Sequence, residues 1–207
     1  MVWYFMEDIK KKITEALNFR HACKEFNGEK IPNEDLKFIL ESGRLSPSSF
    51  GMQPWKFIVV KDQKLKEQLL EASLGQIQVT TCSDLVVICA RTDIKPSDDF
   101  FKKVMENRTL PEEKQERIKK SLDEKDPQKM LVYCQQQAFI ALGNMMQVSA
   151  FLGVDSCPMG GFDAETYSKI LGLDPHIHPT LLMPLGYRKN KQSDKERLAY
   201  DDVVETR

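Results

Sequence analysis

What this sequence lacks narrows its chemistry first. Its 30 basic side chains are matched by 31 acidic ones, a formal net charge of −1, so there is no electrostatic footprint for nucleic acid. No apolar stretch is long enough to span a bilayer. The opening MVWYFMEDIKKK has no basic region ahead of its apolar cluster and no small-residue cleavage site, so it does not read as a signal peptide. The absence of G-x-x-x-x-G-K-[ST] excludes a P-loop. No G-x-G-x-x-G follows a strand, which excludes a Rossmann dinucleotide site, and no G-x-S-x-G elbow is present. Histidine is scarce, at three residues. His176 and His178 share a proline-flanked loop without a cysteine at zinc spacing, and no metal site is expected. The five cysteines (Cys23, Cys82, Cys89, Cys134 and Cys157) are odd in number, widely spaced and free of a C-x-x-C pair. That pattern favours reduced thiols in the cytoplasm over a disulfide framework. With no internal repeat and no Pro/Gly/Ser linker, the 207 residues read as one domain, 1–207.

What is present is 41% hydrophobic and 29% charged, an ordinary globular balance. Glu7 to Arg20 reads as a helix, with Ile9, Ile13, Ala16 and Leu17 on one face. Asn33 is placed to cap a second helix that ends near Gly43. Lys56–Lys61 (KFIVVK) and Asp84–Arg91 (DLVVICAR) read as buried strands, with Asp62 capping a helix between them. The stretch from Thr92 to Lys129 is rich in charge and reads as a solvated helix pair, with a mobile cover over a site as the alternative. Met130–Leu152 is the strongest helix, apolar on most of its surface and therefore expected to be buried. A short strand ends at Gly160-Gly161, Asp163 caps a helix that stops at Gly172, and Thr180–Arg188 is the last core strand. A final strand is expected near Ala199–Glu205. Helices and strands intermix, so the class is α+β or α/β.

Two stretches invite chemistry. In RLSPSSFGMQPWKFIVVKD, a turn of small hydroxyls runs into Gln53-Pro54-Trp55 and then a strand. It is either a plain helix-to-strand connection or a ligand loop at the mouth of a sheet. In FRHACKEF, Arg20, His21 and Lys24 crowd the end of a helix. By themselves they read as a solvated basic helix end that complements the macrodipole. Lys195 and Arg197 in the polar tail are equally bland alone, and Gly160-Gly161 reads equally well as a tight turn.

Taken in order, RHACKEF, LSPSSFGMQPWKFIVV, QAFIALGNMM, LGVDSCPMGGFD, MPLGYR and a late KER resemble the nitroreductase family over essentially the whole chain. The resemblance is nearest to the oxygen-insensitive members, which are FMN-dependent NAD(P)H oxidoreductases. It implies an α+β fold with a mixed sheet flanked by helices. It also implies an intertwined homodimer, with the arm of residues 186–207 swapped onto the partner's sheet edge. The expected activity is ping-pong two-electron transfer from NADH or NADPH, through FMN, to a small-molecule acceptor such as a nitro compound or quinone. Same-fold alternatives are ene-reduction, dehalogenation, flavin breakdown or non-enzymatic FMN binding.

Position by position, the resemblance matches Arg20 to the FMN phosphate grip and His21 to the ribityl chain. Ala22 stands where the relatives usually carry serine. Lys24 matches the lysine at the pyrimidine edge, where a cation favours the reduced, anionic flavin. Pro47, Ser48 and Ser49 match residues reaching the flavin from the other subunit, with Pro54 and Trp55 anchoring that loop. Gln137 matches a glutamine at the ribityl or ring edge. Pro158, Met159, Gly160 and Gly161 match the segment lining the ring, where a glycine N–H can approach closely. Lys195 and Arg197 match a late basic pair on the phosphate, which arginine binds by planar forks and lysine as a point charge. Two departures follow. No asparagine occurs near Gly75-Gln76, leaving Gln76 as the pyrimidine candidate, and Gly160 replaces the usual glutamate. Losing a carboxylate there makes the local field more positive.

Overall fold

The computed structural model describes residues 2–106 and 108–207. Helix α1 spans Val2–Phe19, starting ahead of the expected Glu7 and ending just before Arg20, whose N–H still bonds the Ala16 carbonyl at 3.1 Å. Helix α2 is Asn33–Arg44. Asn33 is not its cap: Pro32 holds that place without a side-chain bond, and the Asn33 side-chain oxygen Oδ1 accepts from Lys61 Nζ at 2.7 Å instead. A proline there has no N–H to satisfy and a φ already suited to helix entry. A short 3-10 turn, Ser49–Gly51, leads to β1, Trp55–Val60. Asp62 caps α3 (Gln63–Ala72), accepting from the Leu65 N–H at 2.8 Å. There follow α4, Gln78–Thr81, β2, Asp84–Arg91, α5, Asp99–Glu106, and α6, Glu112–Asp123. Helix α7, Pro127–Phe151, is capped by Asp126. Strand β3 is Asp155–Ser156. Asp163 caps α8, Ala164–Leu171, and Gly172 at φ 60° ends it. Strand β4 is Ile177–Gly186, and α9 is a single turn, Tyr200–Val203.

The strands form one sheet in the order β1-β2-β4-β3, and every named pair is antiparallel. The parallel component is an isolated bridge between Ala22 and Ser156. Strand β2 is apolar along its length because both faces are covered. Alternation sends Leu85, Val87 and Cys89 into a cluster with Leu69, Val79 and Tyr167. Val86 and Ile88 go into the opposite cluster with Ile39, Ala138 and Met145. On that side α2 lies close against α7: a Cβ on Gly43 would sit 2.8 Å from the Met145 sulfur.

Three expectations change. The charged stretch does form a helix pair, α5 and α6, but its few apolar residues suffice to dock it. Phe101, Ile118 and Leu122 are buried with Met52, Ile94 and Met130 in a third cluster. Helix α7 is only half covered: Ala138, Ala141 and Met145 are fully buried, while Phe139 is 57% exposed and Val132, Ile140 and Phe151 are also exposed. Its all-round apolar surface exceeds what one chain buries. The final strand expected at Ala199–Glu205 is instead the turn α9. The Asp202 carboxylate accepts the Ala199 N–H at 3.2 Å, a local bond that consecutive aspartates make more readily than a strand ladder. Among the described residues no helix is long and apolar enough to cross a membrane.

Candidate functional site

The end of α1 and the sheet edge build the site together. After Phe19 the chain runs extended, and the Cys23 N–H bonds the Ser156 carbonyl at 3.2 Å. This lays Arg20 to Lys24 along β3. Cys23 turns inward and is buried, while Ala22 and Lys24 are exposed. Two adjoining cavities of about 550 and 650 Å³ open there, sharing His21, Ala22, Gln192 and Ser193. Lys24, Gln76 and Gln78 line the first. Arg20, Lys195 and Arg197 line the second.

Asp194 and Glu196 also line the second cavity, yet among the described residues neither carboxylate pairs with its cations. Among the described residues nothing pairs with the Arg20 guanidinium, and Arg197 reaches only the Glu196 carbonyl. Lys195 Nζ donates to the Arg20 carbonyl at 2.8 Å and to the Leu17 carbonyl, two of the open acceptors at the C-terminus of α1. Burial, then the like charges of Arg20 and Arg197, hold the Lys195 ammonium below its usual range. Arg188, by contrast, is neutralised. It pairs with the buried Asp155 at 2.7 Å and lies 4.2 Å over the Phe19 ring. His21 Nδ1 stands 3.5 Å from the same carboxylate. Burial, with the Arg188 charge next, pushes its imidazole below the ordinary value. The arm that supplies Lys195 also ties back to its own chain, with Gln192 donating to the Asn18 carbonyl at 3.0 Å.

The glycine segment does not line the first cavity but touches it through Gln76, which does. Lys24 Nζ lies 3.7 Å from Cys157 Sγ. Burial pushes that thiol up, opposed by Lys24. Met159 is buried and exchanges both backbone bonds with Leu182 at 2.9 Å. Pro158 is half-buried, and Gly160 and Gly161 are exposed. A Cβ on either glycine would meet nothing within 4 Å, and neither lies in the left-handed region. Gln76 donates to the Gly161 carbonyl at 2.9 Å.

The remaining expected residues form a separate group. Pro54 and Trp55 are buried and anchor the loop, the Pro54 carbonyl accepting from Arg91 N–H at 3.1 Å. Pro47 and Ser49 are exposed and Ser48 is half-buried. The Ser48 hydroxyl accepts from the Gln53 N–H at 2.8 Å and so belongs to the turn. Gln137, also expected at a ligand, accepts the Ser49 N–H at 2.8 Å and donates to the Tyr133 carbonyl at 3.2 Å. Tyr133 in turn donates to the Ser49 carbonyl at 3.1 Å. Neither cavity at the basic cluster is lined by Pro47, Ser48, Ser49 or Gln137.

Several contributors escaped the sequence reading. Tyr133 sits one helical turn before Gln137, a readable spacing. Arg108, which donates to the Phe50 and Gly51 carbonyls, carries no motif. Gln78 and Ser193 line the first cavity through folding alone. His176 and His178 stand at the far end of β4 on Asp93 (3.4 Å) and Thr92 (3.1 Å).

Comparison with known proteins agrees with this architecture. The Nitroreductase family pattern matches residues 17–187. A Bacillus subtilis protein named "Putative NAD(P)H nitroreductase YfkO" is 41% identical over 219 residues, covering 96% of this chain and 99% of the relative. The crystal structure of "putative nitroreductase ydfN" from the same species superposes with a TM-score of 0.83 at 25% identity, over 96% of this chain and 100% of that one. An Exiguobacterium sibiricum structure described as a "putative nitroreductase in complex with FMN" shares the fold, with a TM-score of 0.80 at 22% identity over 94% and 97% of the two chains. With the family pattern covering most of its length and this sheet at its centre, the chain belongs to the nitroreductase family.

Proposed function

We propose that this nitroreductase-family oxidoreductase holds FMN across the two adjoining cavities. It passes two electrons from NAD(P)H to a small acceptor, a nitro compound or quinone, in a ping-pong cycle. The observation that carries the reading is the basic set Arg20, Lys195 and Arg197, none of which pairs with a carboxylate among the described residues. A phosphate with about two negative charges at neutral pH fits cations that no described carboxylate pairs with, and its arrival relieves their mutual repulsion. Bound there, FMN supplies the two-electron redox chemistry. The chain's own groups do the rest. Arg20 and Arg197 grip by charge-assisted hydrogen bonds, and His21, kept neutral near pH 7, offers one ring nitrogen to the ribityl side. Lys24 places a cation that favours the reduced state, and the open Gly160-Gly161 segment leaves room for a flat ring.

The site is completed by a second copy. Phe38 is 61% exposed and Phe139 57% exposed, with Leu17, Leu45 and Ile140 also uncovered. These lie on α1, α2, α7 and the end of α2. Covering the exposed half of each large apolar side chain contributes on the order of 1 kcal/mol. The Pro47-Ser48-Ser49 loop, clamped by α7 and with Pro47 and Ser49 exposed, would then face the partner's cavity.

The test is colour. The purified protein should be yellow, NADH or NADPH should bleach it without oxygen, and a nitroaromatic or quinone should restore the colour. Protein that stays yellow with both nicotinamides refutes the enzymatic reading, and protein that takes up no FMN refutes the site.

A further inference from the structure

We propose that Gln76 is a positioning residue: from the wall of the first cavity it latches the neighbouring Gly160-Gly161 backbone rather than serving as a ligand itself. The Gly160-Gly161 pair spans the gap between fixed points, with Phe162 packed on the core, its ring centroid 4.9 Å from that of Tyr167. Met159 is held by both of its backbone bonds to Leu182. The Asp163 N–H bonds the Ala72 carbonyl at 2.7 Å. Between them lie two successive glycines, the residues with the greatest backbone freedom. Among the described residues the one hydrogen bond reaching either glycine is that from Gln76 Nε2 to the Gly161 carbonyl, at 2.9 Å.

The latch is itself built with care. Helix α3 ends through Leu74 at φ 57° and Gly75 at φ 68°, a left-handed conformation held for the exposed leucine by backbone bonds from the Leu74 and Gly75 N–H groups to the Glu71 and Leu70 carbonyls at 2.9 and 3.0 Å. That double turn delivers Gln76 to the cavity wall. Its amide nitrogen is fully used, with the second proton on the Ser73 carbonyl at 3.0 Å. Its oxygen accepts from Gln78 Nε2 at 3.1 Å. Gln78 is buried and fixes which way the Gln76 amide faces. An amide spent in this way has no proton left for a ligand. Its effect is to supply the restraint that two glycines lack, and so to set how the segment meets whatever fills the cavity.

The role rests on the proposed FMN site, so the test separates the two. Gln76→Glu keeps the shape and the acceptor for Gln78 but loses the donor to Gly161. Gln76→Ala removes both. In the apoprotein, hydrogen exchange of the Met159 and Asp163 amides, whose bonds bracket the glycines, should speed up at least tenfold in either variant, with α3 unchanged. In the FMN-loaded protein the dissociation constant should move less than about threefold. Bleaching by saturating NAD(P)H in single-turnover stopped flow should slow tenfold or more. Unchanged exchange in folded variants overturns the latch. Faster exchange with an unaltered bleaching rate overturns its role in positioning. A tenfold or greater loss of FMN affinity in Gln76→Glu would make Gln76 a ligand and overturn the assignment. Wild-type protein that binds no FMN refutes the proposed function, and the exchange measurement still reads the latch.

Discussion

Replacing Arg20 with alanine separates a binding cation from a structural one. No described residue pairs with its guanidinium, so the substitution orphans no buried partner. The backbone carbonyl that accepts from Lys195 at 2.8 Å is unaffected by the change of side chain. Lys195, held below its usual range by burial and by Arg20 and Arg197, loses one repelling neighbour. Stability should therefore be unchanged or slightly improved, with the unfolding temperature of the apoprotein within about 2 °C of wild type. Binding should respond quite differently. A hydrogen bond to a charged group contributes roughly 1.5–3 kcal/mol. At about 1.4 kcal/mol per tenfold, that weakens FMN about 10- to 150-fold. The assay is titration of apoprotein with FMN, followed by quenching of flavin fluorescence, at two ionic strengths. Added salt should weaken wild type more than the variant, because screening acts on the charge that was removed. An unchanged dissociation constant in a folded Arg20→Ala protein would show that the phosphate does not sit in this cavity. A large drop in unfolding temperature would show that Arg20 is structural.

Other outcomes follow from the same geometry. Phe139→Asp places a charge on the exposed face of α7 and should give a monomer in sedimentation with impaired FMN retention; a monomer with full FMN affinity removes the partner's loop from the site. Gly160→Glu should fold and load normally, since a Cβ there meets nothing within 4 Å and the backbone is not left-handed. Its carboxylate should lower the two-electron flavin potential by about 30 mV, equivalent to ~1.4 kcal/mol, and anaerobic dye equilibration reading an equal or higher potential contradicts this. The His21 pKa is lowered by burial first and the Arg188 charge second. The folded protein thus resists its protonation, and the stability this contributes is present above about pH 6.5 and lost as pH falls through the lower folded value. His21→Gln should flatten that acid-side slope in pH-dependent thermal melts, and an identical slope places the loss on other groups.

Much of this protein was legible in order of residues alone, because short-range physics decides it. Asp62 and Asp163 cap their helices through bonds two or three residues away. The run Asp84–Arg91 is a strand because its unbroken apolar sequence suits a sheet covered on both faces. The order of motifs sufficed to indicate the family. What the sequence could not settle are contacts between distant segments. Asn33 has the composition of a cap, yet its oxygen is taken by Lys61, 28 residues on. Gln137 has the look of a ligand, but its carbonyl is taken by Ser49, 88 residues away. Gln76 reads as a poor stand-in for asparagine until the fold brings Gly161 to its amide. Arg20 and Arg188 are equally basic in sequence, and only the fold gives Asp155 to Arg188 and leaves Arg20 without a carboxylate among the described residues. Hydrogen-bond partners and neutralising charges are chosen by proximity in space. Residue type sets what a side chain can do, and the tertiary structure decides what is left for it to do it to.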